Sequence, residues 1–227
     1  GDVMNIVILG STGGIGKCLS NSLSLDNNLF LGSRTVDKVN SLVSGINCNN
    51  LVSGDSVDAT SFDEINIFLE KANDFLGSID CIINCTGSLL LKPAHLTTED
   101  ELDNTFKVNV FSCFGILKYG FKYLKKDGGS ILFFSSAASK VGLKNHETIS
   151  SAKGAISSMV LSAASTYARY NIRVNAIAPG LVDTPLTEKI IQNKLSLDYS
   201  LSLHGLKRAG KPENFVPIVS SLINRKS

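Results

Sequence analysis

Residues 10–16 read Gly-Ser-Thr-Gly-Gly-Ile-Gly. Glycine lacks a Cβ, so such a run can turn sharply and bring its backbone N–H groups against a phosphate. Helical periodicity starts at Gly14, and a helix start turns its positive dipole end toward the same anion. One glycine-rich loop is a weak signal, because many turns are glycine-rich. Here the loop follows an apolar run and opens a helix, which is the setting of a dinucleotide pyrophosphate site. The second apolar run ends Leu31-Gly32-Ser33-Arg34-Thr35. An acidic residue there would hold the ribose 2′-hydroxyl of NAD, but Ser33 and Arg34 occupy the place. A guanidinium can pair with a 2′-phosphate, so the expected cofactor is NADP(H) in preference to NAD(H).

The elements that must position these residues alternate along the whole chain. Apolar runs predict strands over 3–9, 29–32, 51–57, 79–85, 130–135 and 172–178. Helix-period stretches lie between them, over 14–25, 36–43, 61–76, 98–124 (with a possible break) and 150–170. Near-continuous apolar strands between helices mean parallel strands covered on both faces. The expected fold class is α/β, a doubly wound parallel sheet (Rossmann fold) with three α/β/α layers, as one domain over 1–227. Ligands of such sheets bind beyond the carboxyl ends of the strands.

Composition narrows the function classes. The chain has 227 residues, of which 43% are hydrophobic and 19% charged, with a net charge of +2. Disorder is excluded, since disordered chains are poor in apolar residues and rich in net charge. A near-zero charge gives no field for a phosphate backbone, so no nucleic-acid partner is expected. Five cysteines form no C-x-x-C pair and no His cluster accompanies them. Free buried thiols are expected, and no metal site. No secretory signal or bilayer-length apolar run occurs, so the expectation is a soluble, cytoplasmic chain with no membrane partner. Met4 has the look of a natural start, with residues 1–3 a remnant ahead of it.

Read in order, the motifs resemble the short-chain dehydrogenase/reductase family over almost the whole chain. Gly10, Gly14 and Gly16, with Ser11, Thr12 and Ile15, resemble its cofactor loop. Val57-Asp58-Ala59-Thr60 is similar to the segment that lies near the adenine. Asn84-Cys85-Thr86-Gly87 resembles its Asn-Asn-Ala-Gly motif with the two middle residues changed. Asn109 falls where the family carries a catalytic Asn, and Ser136 where it carries a catalytic Ser. Residues 173–180, ending Pro179-Gly180, together with Thr184, resemble the segment that closes over the nicotinamide. Arg208-x-Gly210-x-Pro212-Glu213 resembles the start of the last helix. The resemblance implies hydride transfer between a nicotinamide cofactor and a carbonyl, alcohol or conjugated C=C of a small-molecule substrate. It also implies a homodimer or homotetramer using the two long helices, and a substrate lid over about 184–206. The family usually continues past the last helix into a final C-terminal strand, and the expectation is that this strand is either absent or not included after Ile223.

The catalytic helix departs from the family. Its Tyr-x-x-x-Lys becomes Ile149-Ser150-Ser151-Ala152-Lys153. In the family the tyrosine moves the proton of the substrate oxygen, which isoleucine cannot do. Lys153 can still bind the nicotinamide ribose and Ser136 can still orient a substrate oxygen. Three readings follow. His146, seven residues before Lys153, replaces the tyrosine as acid/base. Or the chemistry needs no strong protein acid. Or the chain is a catalytically silent nucleotide-binding sensor or partner subunit. Tyr119, Tyr123, Tyr167 and Tyr170 are expected to be packing residues.

Overall fold

The structure is a computed structural model in which residues 2–224 are described. Six strands form one parallel sheet: β1 Asn5–Leu9, β2 Asn28–Ser33, β3 Val52–Ser56, β4 Cys81–Asn84, β5 Gly129–Phe134 and β6 Ile172–Ile177. Their order is β3-β2-β1-β4-β5-β6. The chain winds outward from β1 to β3 and then returns to β4. That reversal leaves a crevice past the ends of β1 and β4, the expected ligand position.

Strand alternation explains the two apolar layers. Val7 and Leu9 of β1 face one way, with Ile82 and Phe133, and pack against α3 (Phe62–Leu76), α5 (Ser112–Leu124) and α6 (Glu147–Tyr167). Ile6 and Ile8 face the other way, with Leu31 and Ile83, and pack against α1 (Gly14–Leu23), α2 (Val36–Gly45) and α9 (Val216–Ile223). The doubly wound α/β/α expectation is therefore met. Tyr119, Tyr123, Tyr167 and Tyr170 pack at the edge of the first layer. All five cysteines are free thiols. Among the described residues no helix is long and apolar enough to cross a membrane.

The stretch expected as one helix over 98–124 is two. Thr98 caps α4 (Glu99–Phe106) with a capping box to Glu101. A widened π turn, Lys107–Phe111, then leads into α5. Side chains take up carbonyls around it: Asn109 Nδ2 donates to Thr105 O, Ser112 Oγ to Val108 O and Cys113 Sγ to Asn109 O. These local bonds compete with the ordinary helix ladder, which is why the turn widens here. Likewise α6 starts at Glu147, earlier than the expected 150, with His146 at its cap.

The lid region contains α7 (Glu188–Gln192) and α8 (Lys194–Ser202). β6 is the last strand among the described residues. Gly1 and residues 225–227, part of the start-remnant and missing-strand expectations, lie outside the described residues.

Candidate active site

Register places the end of β1 beside the end of β4, with Leu9 opposite Asn84. Gly10 leaves β1 at φ +70°, and a Cβ there would stand 2.5 Å from Thr86 N. A Cβ on Gly16 would stand 2.1 Å from Gly10 O, and one on Gly14 2.6 Å from Thr184 Cγ2. These glycines thus let the loop, α1 and the Thr184 segment approach closely. Ser11 is fully buried, and its N–H and Oγ both donate to Gly32 O, at 3.0 and 3.1 Å. It ties the loop to β2 instead of facing a ligand. α1 has Gly13 at its cap, no side-chain cap and no acid in its first turn. Its positive end is left to an outside anion.

Two cavities meet along this crevice. One, of about 220 Å³, is lined by Gly10, Thr12, Ser33, Arg34, Lys38, Asp58, Ala59, Gly87 and their neighbours. The other, of about 160 Å³, includes Ile15, Ser136, Ile149, Lys153, Pro179, Gly180 and Thr184. Both are lined by Cys85, Thr86 and Gly87. The residues present fit an adenine dinucleotide. Ser33 Oγ is buried without a hydrogen-bond partner on the first cavity's wall. Arg34 and Lys38 are exposed there and form no ion pair among the described residues. Asp58 closes a turn, its Oδ1 accepting from Thr60 N and Oγ1 at 2.9 and 2.7 Å.

The second cavity divides Ser135 from Ser136. Ser135 Oγ donates to Lys153 O at 2.8 Å and lies 2.6 Å from Ser157 Oγ, so it joins β5 to α6. Ser136 Oγ accepts from Ala138 N at 3.1 Å and has no acceptor for its own proton among the described residues. Ser150 Oγ donates to Ala138 O at 2.8 Å and fixes the Ser136 turn against α6. Lys153 Nζ donates to Phe134 O at 2.9 Å. No carboxylate lines this cavity. Burial lowers the Lys153 pKa from its ordinary value. Burial in turn pushes Cys85 up to about 12 and Cys113 up to about 11. Both thiols are therefore neutral near pH 7 and give the ammonium no counter-charge.

Six expected residues line neither cavity: Ser11, Gly14 and Gly16 of the loop, and Asn84, Asn109 and His146. Asn84 is buried at the end of β4; its Oδ1 accepts from Thr86 N, and its Nδ2 reaches Ser112 Oγ and Cys113 Sγ. It shapes the Cys85–Gly87 turn. Asn109 is fully buried, accepting from Ser88 N and donating to Ser88 Oγ and Thr105 O. A Cβ on Gly87 would stand 3.3 Å from Asn109 Oδ1 and 3.7 Å from Lys153 Nζ, so Asn109 backs this wall. His146 sits ahead of α6 with Nδ1 2.7 Å from Lys144 O, and it lines neither cavity. Its Nδ1 is held by the loop carbonyl that precedes the helix.

Sequence reasoning missed Lys38, one helical turn beyond Arg34, whose spacing was a readable signal. It also missed Leu89, Phe134, Val182 and Leu186 on the second cavity, which no motif marks.

The comparisons agree with this geometry. The sequence profile of the short chain dehydrogenase family matches residues 4–195. A chloroplastic tropinone reductase homolog of Arabidopsis thaliana is 29% identical over 223 residues, covering 96% of this chain and 69% of that protein. A 3-oxoacyl-[acyl-carrier-protein] reductase of Thermotoga maritima is 30% identical over 174 residues, covering 75% of this chain and 69% of that protein. A short-chain type dehydrogenase/reductase from Mycobacterium ulcerans, 23% identical, superposes with a TM-score of 0.91 over 97% of this chain and 83% of its own. The crevice with its two cavities is thus built on a chain that belongs to the short chain dehydrogenase family.

Proposed function

We propose that the protein is an NADP(H)-dependent oxidoreductase acting on a carbonyl/alcohol or conjugated C=C compound, with Lys153 in place of the missing tyrosine as proton carrier. The observation that carries this reading is the second cavity, where Ser136 and Lys153 share one wall system with Ile149. A dinucleotide held along Gly10, Thr12, Ser33, Arg34 and Gly87 would supply or accept the hydride. Ser136 Oγ–H, free of any other acceptor, donates to the substrate oxygen. Among the described residues Lys153 is the only charged side chain lining this cavity. Its ammonium releases a proton to the developing oxyanion and regains one from solvent. Burial lowers its pKa toward the working range, which favours that role. His146 lies off the cavity, so the lysine is preferred to it. The remaining lining mixes apolar side chains, including Leu89, Phe134, Pro179 and Val182, with the hydroxyls of Thr86, Ser88, Thr184 and Thr187, and suits an uncharged substrate.

Ser33, Arg34 and Lys38 support the choice of NADP(H), because a 2′-phosphate would satisfy the orphan hydroxyl and meet two cations. The competing reading is a silent nucleotide-binding subunit, and the buried Ile149 is the observation that favours it.

One experiment decides between them. NADPH and NADH are titrated by nicotinamide fluorescence, and carbonyl, alcohol and enoyl compounds are screened with wild type, His146→Ala, Lys153→Met and Lys153→Arg. Binding of NADPH with at least tenfold preference, reduced by Arg34→Ala, is expected. Turnover should survive His146→Ala and fall at least a hundredfold in Lys153→Met. Binding without turnover in the whole screen assigns the silent role, and activity in Lys153→Met removes the lysine from the proton path.

A further inference from the structure

His204 lies just beyond α8, and its ring bridges two segments. Nδ1 is 2.8 Å from Ser200 O, and Leu181 N is 3.0 Å from Nε2. A carbonyl only accepts and a backbone N–H only donates, so the proton sits on Nδ1 and Nε2 is bare. Gly180 lies against the same nitrogen, where a Cβ would stand 2.5 Å away. One end of the ring therefore holds α8. The other holds the chain leaving β6, whose Pro179, Gly180 and Val182 line the cavity with Ser136 and Lys153.

We propose that neutral His204 is a positioning residue that clamps α8 to the Pro179–Val182 wall of the substrate cavity, and that its protonation opens the clamp. This rests on the reading of that cavity as the substrate site. A proton on Nε2 would set N–H against the Leu181 N–H, leaving two donors facing each other. Histidine makes this change between pH 5 and 8. The titratable and charged groups on the elements around the ring are Asp183 after β6, Lys194, Asp198 and Tyr199 on α8, and Lys207, Arg208 and Lys211 beyond it. None makes an ion pair with the ring among the described residues, and Lys207 Nζ donates to Ser202 O at 2.6 Å.

The clamp is tested in two ways. In the protein without cofactor, long-range 1H–15N spectra should show the Nδ1–H tautomer, and the Leu181 amide should shift with the ring's titration. With substrate, the KM of wild type should rise roughly three- to tenfold from pH 8 to pH 5.5, the equilibrium worth of one hydrogen bond. His204→Gln keeps an amide oxygen that can accept from Leu181 N–H and cannot titrate. Its KM should stay low across that range, while His204→Ala should have a high KM at both ends and little change in kcat. An Nε2–H tautomer, a Leu181 amide blind to the titration, or a wild-type pH profile in His204→Gln overturns the clamp. The spectra read it without turnover, so a silent enzyme and a wrong clamp give different results.

Discussion

Lys153 is the residue on which chemistry and stability pull apart. Its ammonium is buried against Phe134 O with two neutral thiols beside it, so folding lowers its pKa. Unfolded, it titrates near the ordinary lysine value, about 10.4. Between the folded and unfolded values the unfolded chain binds more protons, so stability rises with pH across that window. Below the folded value the penalty is present in full. Lys153→Met has no such titration. Wild type should therefore gain stability relative to Lys153→Met as pH climbs toward 10.5, whatever the substitution costs at pH 7. Paired thermal melts at pH 7 and 10.5 read this difference, in which the other lysines cancel. Parallel curves would remove the desolvated ammonium from the account. The same burial favours the proton release proposed for this lysine, so the instability and the proposed activity share one cause. Ile149 was legible in the sequence as the altered position because Ile149-x-x-x-Lys153 falls where the resembled family carries Tyr-x-x-x-Lys; both residues line the cavity. The roles of Asn84 and Asn109 were not. Their amides are turned onto backbone and neighbouring side chains, which a motif alone does not show.

At the scale of elements, the central strands β1, β4 and β5 were readable because both sheet faces are buried there and each is a nearly unbroken apolar run, whereas the edge strand β3, Val-Ser-Gly-Asp-Ser, carried a weaker signal. The break between α4 and α5 could be suspected but not placed. It depends on side-chain donors at Asn109, Ser112 and Cys113 reaching backbone carbonyls, and hydrophobic periodicity carries no trace of those bonds. Arg173 shows the same limit. In sequence it belongs to the segment resembling a nicotinamide cover. In the fold, its guanidinium donates to Leu222 O and to Asn224 O, capping the end of α9 from β6. A cation at a helix C-terminus also meets the negative end of the dipole. Arg173→Met should lower unfolding stability by about 1–2 kcal/mol, as expected for losing charge-assisted hydrogen bonds at a half-exposed site. NADPH affinity should stay within about twofold, since Arg173 lines neither cavity of the crevice. Denaturant melts and a cofactor titration separate the two effects. A large loss of affinity with an unchanged melt would return Arg173 to the cofactor site.

At the scale of the molecule, the low charged share anticipated more burial than one chain provides. The layer built from α3 to α6 leaves large apolar side chains in water. Leu161 on α6 is 75% exposed and Phe114 on α5 is 54% exposed, with Phe111 and Leu102 also exposed on the π turn and α4. Phe62 of α3 stacks on Phe114 at 6.4 Å, extending the apolar surface toward α3. The opposite layer, α1, α2 and α9, has fewer such residues, chiefly Val36 and Ile218. Apolar side chains concentrated on one side mark an interaction surface. The partner proposed from the sequence is a second copy of the chain, and a two-fold arrangement of this layer would set Leu161 and Phe114 against apolar counterparts. Leu161→Glu places two like charges in that contact. The wild type should sediment as a dimer or tetramer at micromolar concentration, and Leu161→Glu should shift it at least tenfold toward monomer. Its helix content should not change, because an exposed position carries no core packing. NADPH affinity should also hold, because Leu161 lies outside both cavities. A wild type that sediments as a monomer would leave this apolar side without its partner and end the homo-oligomer proposal.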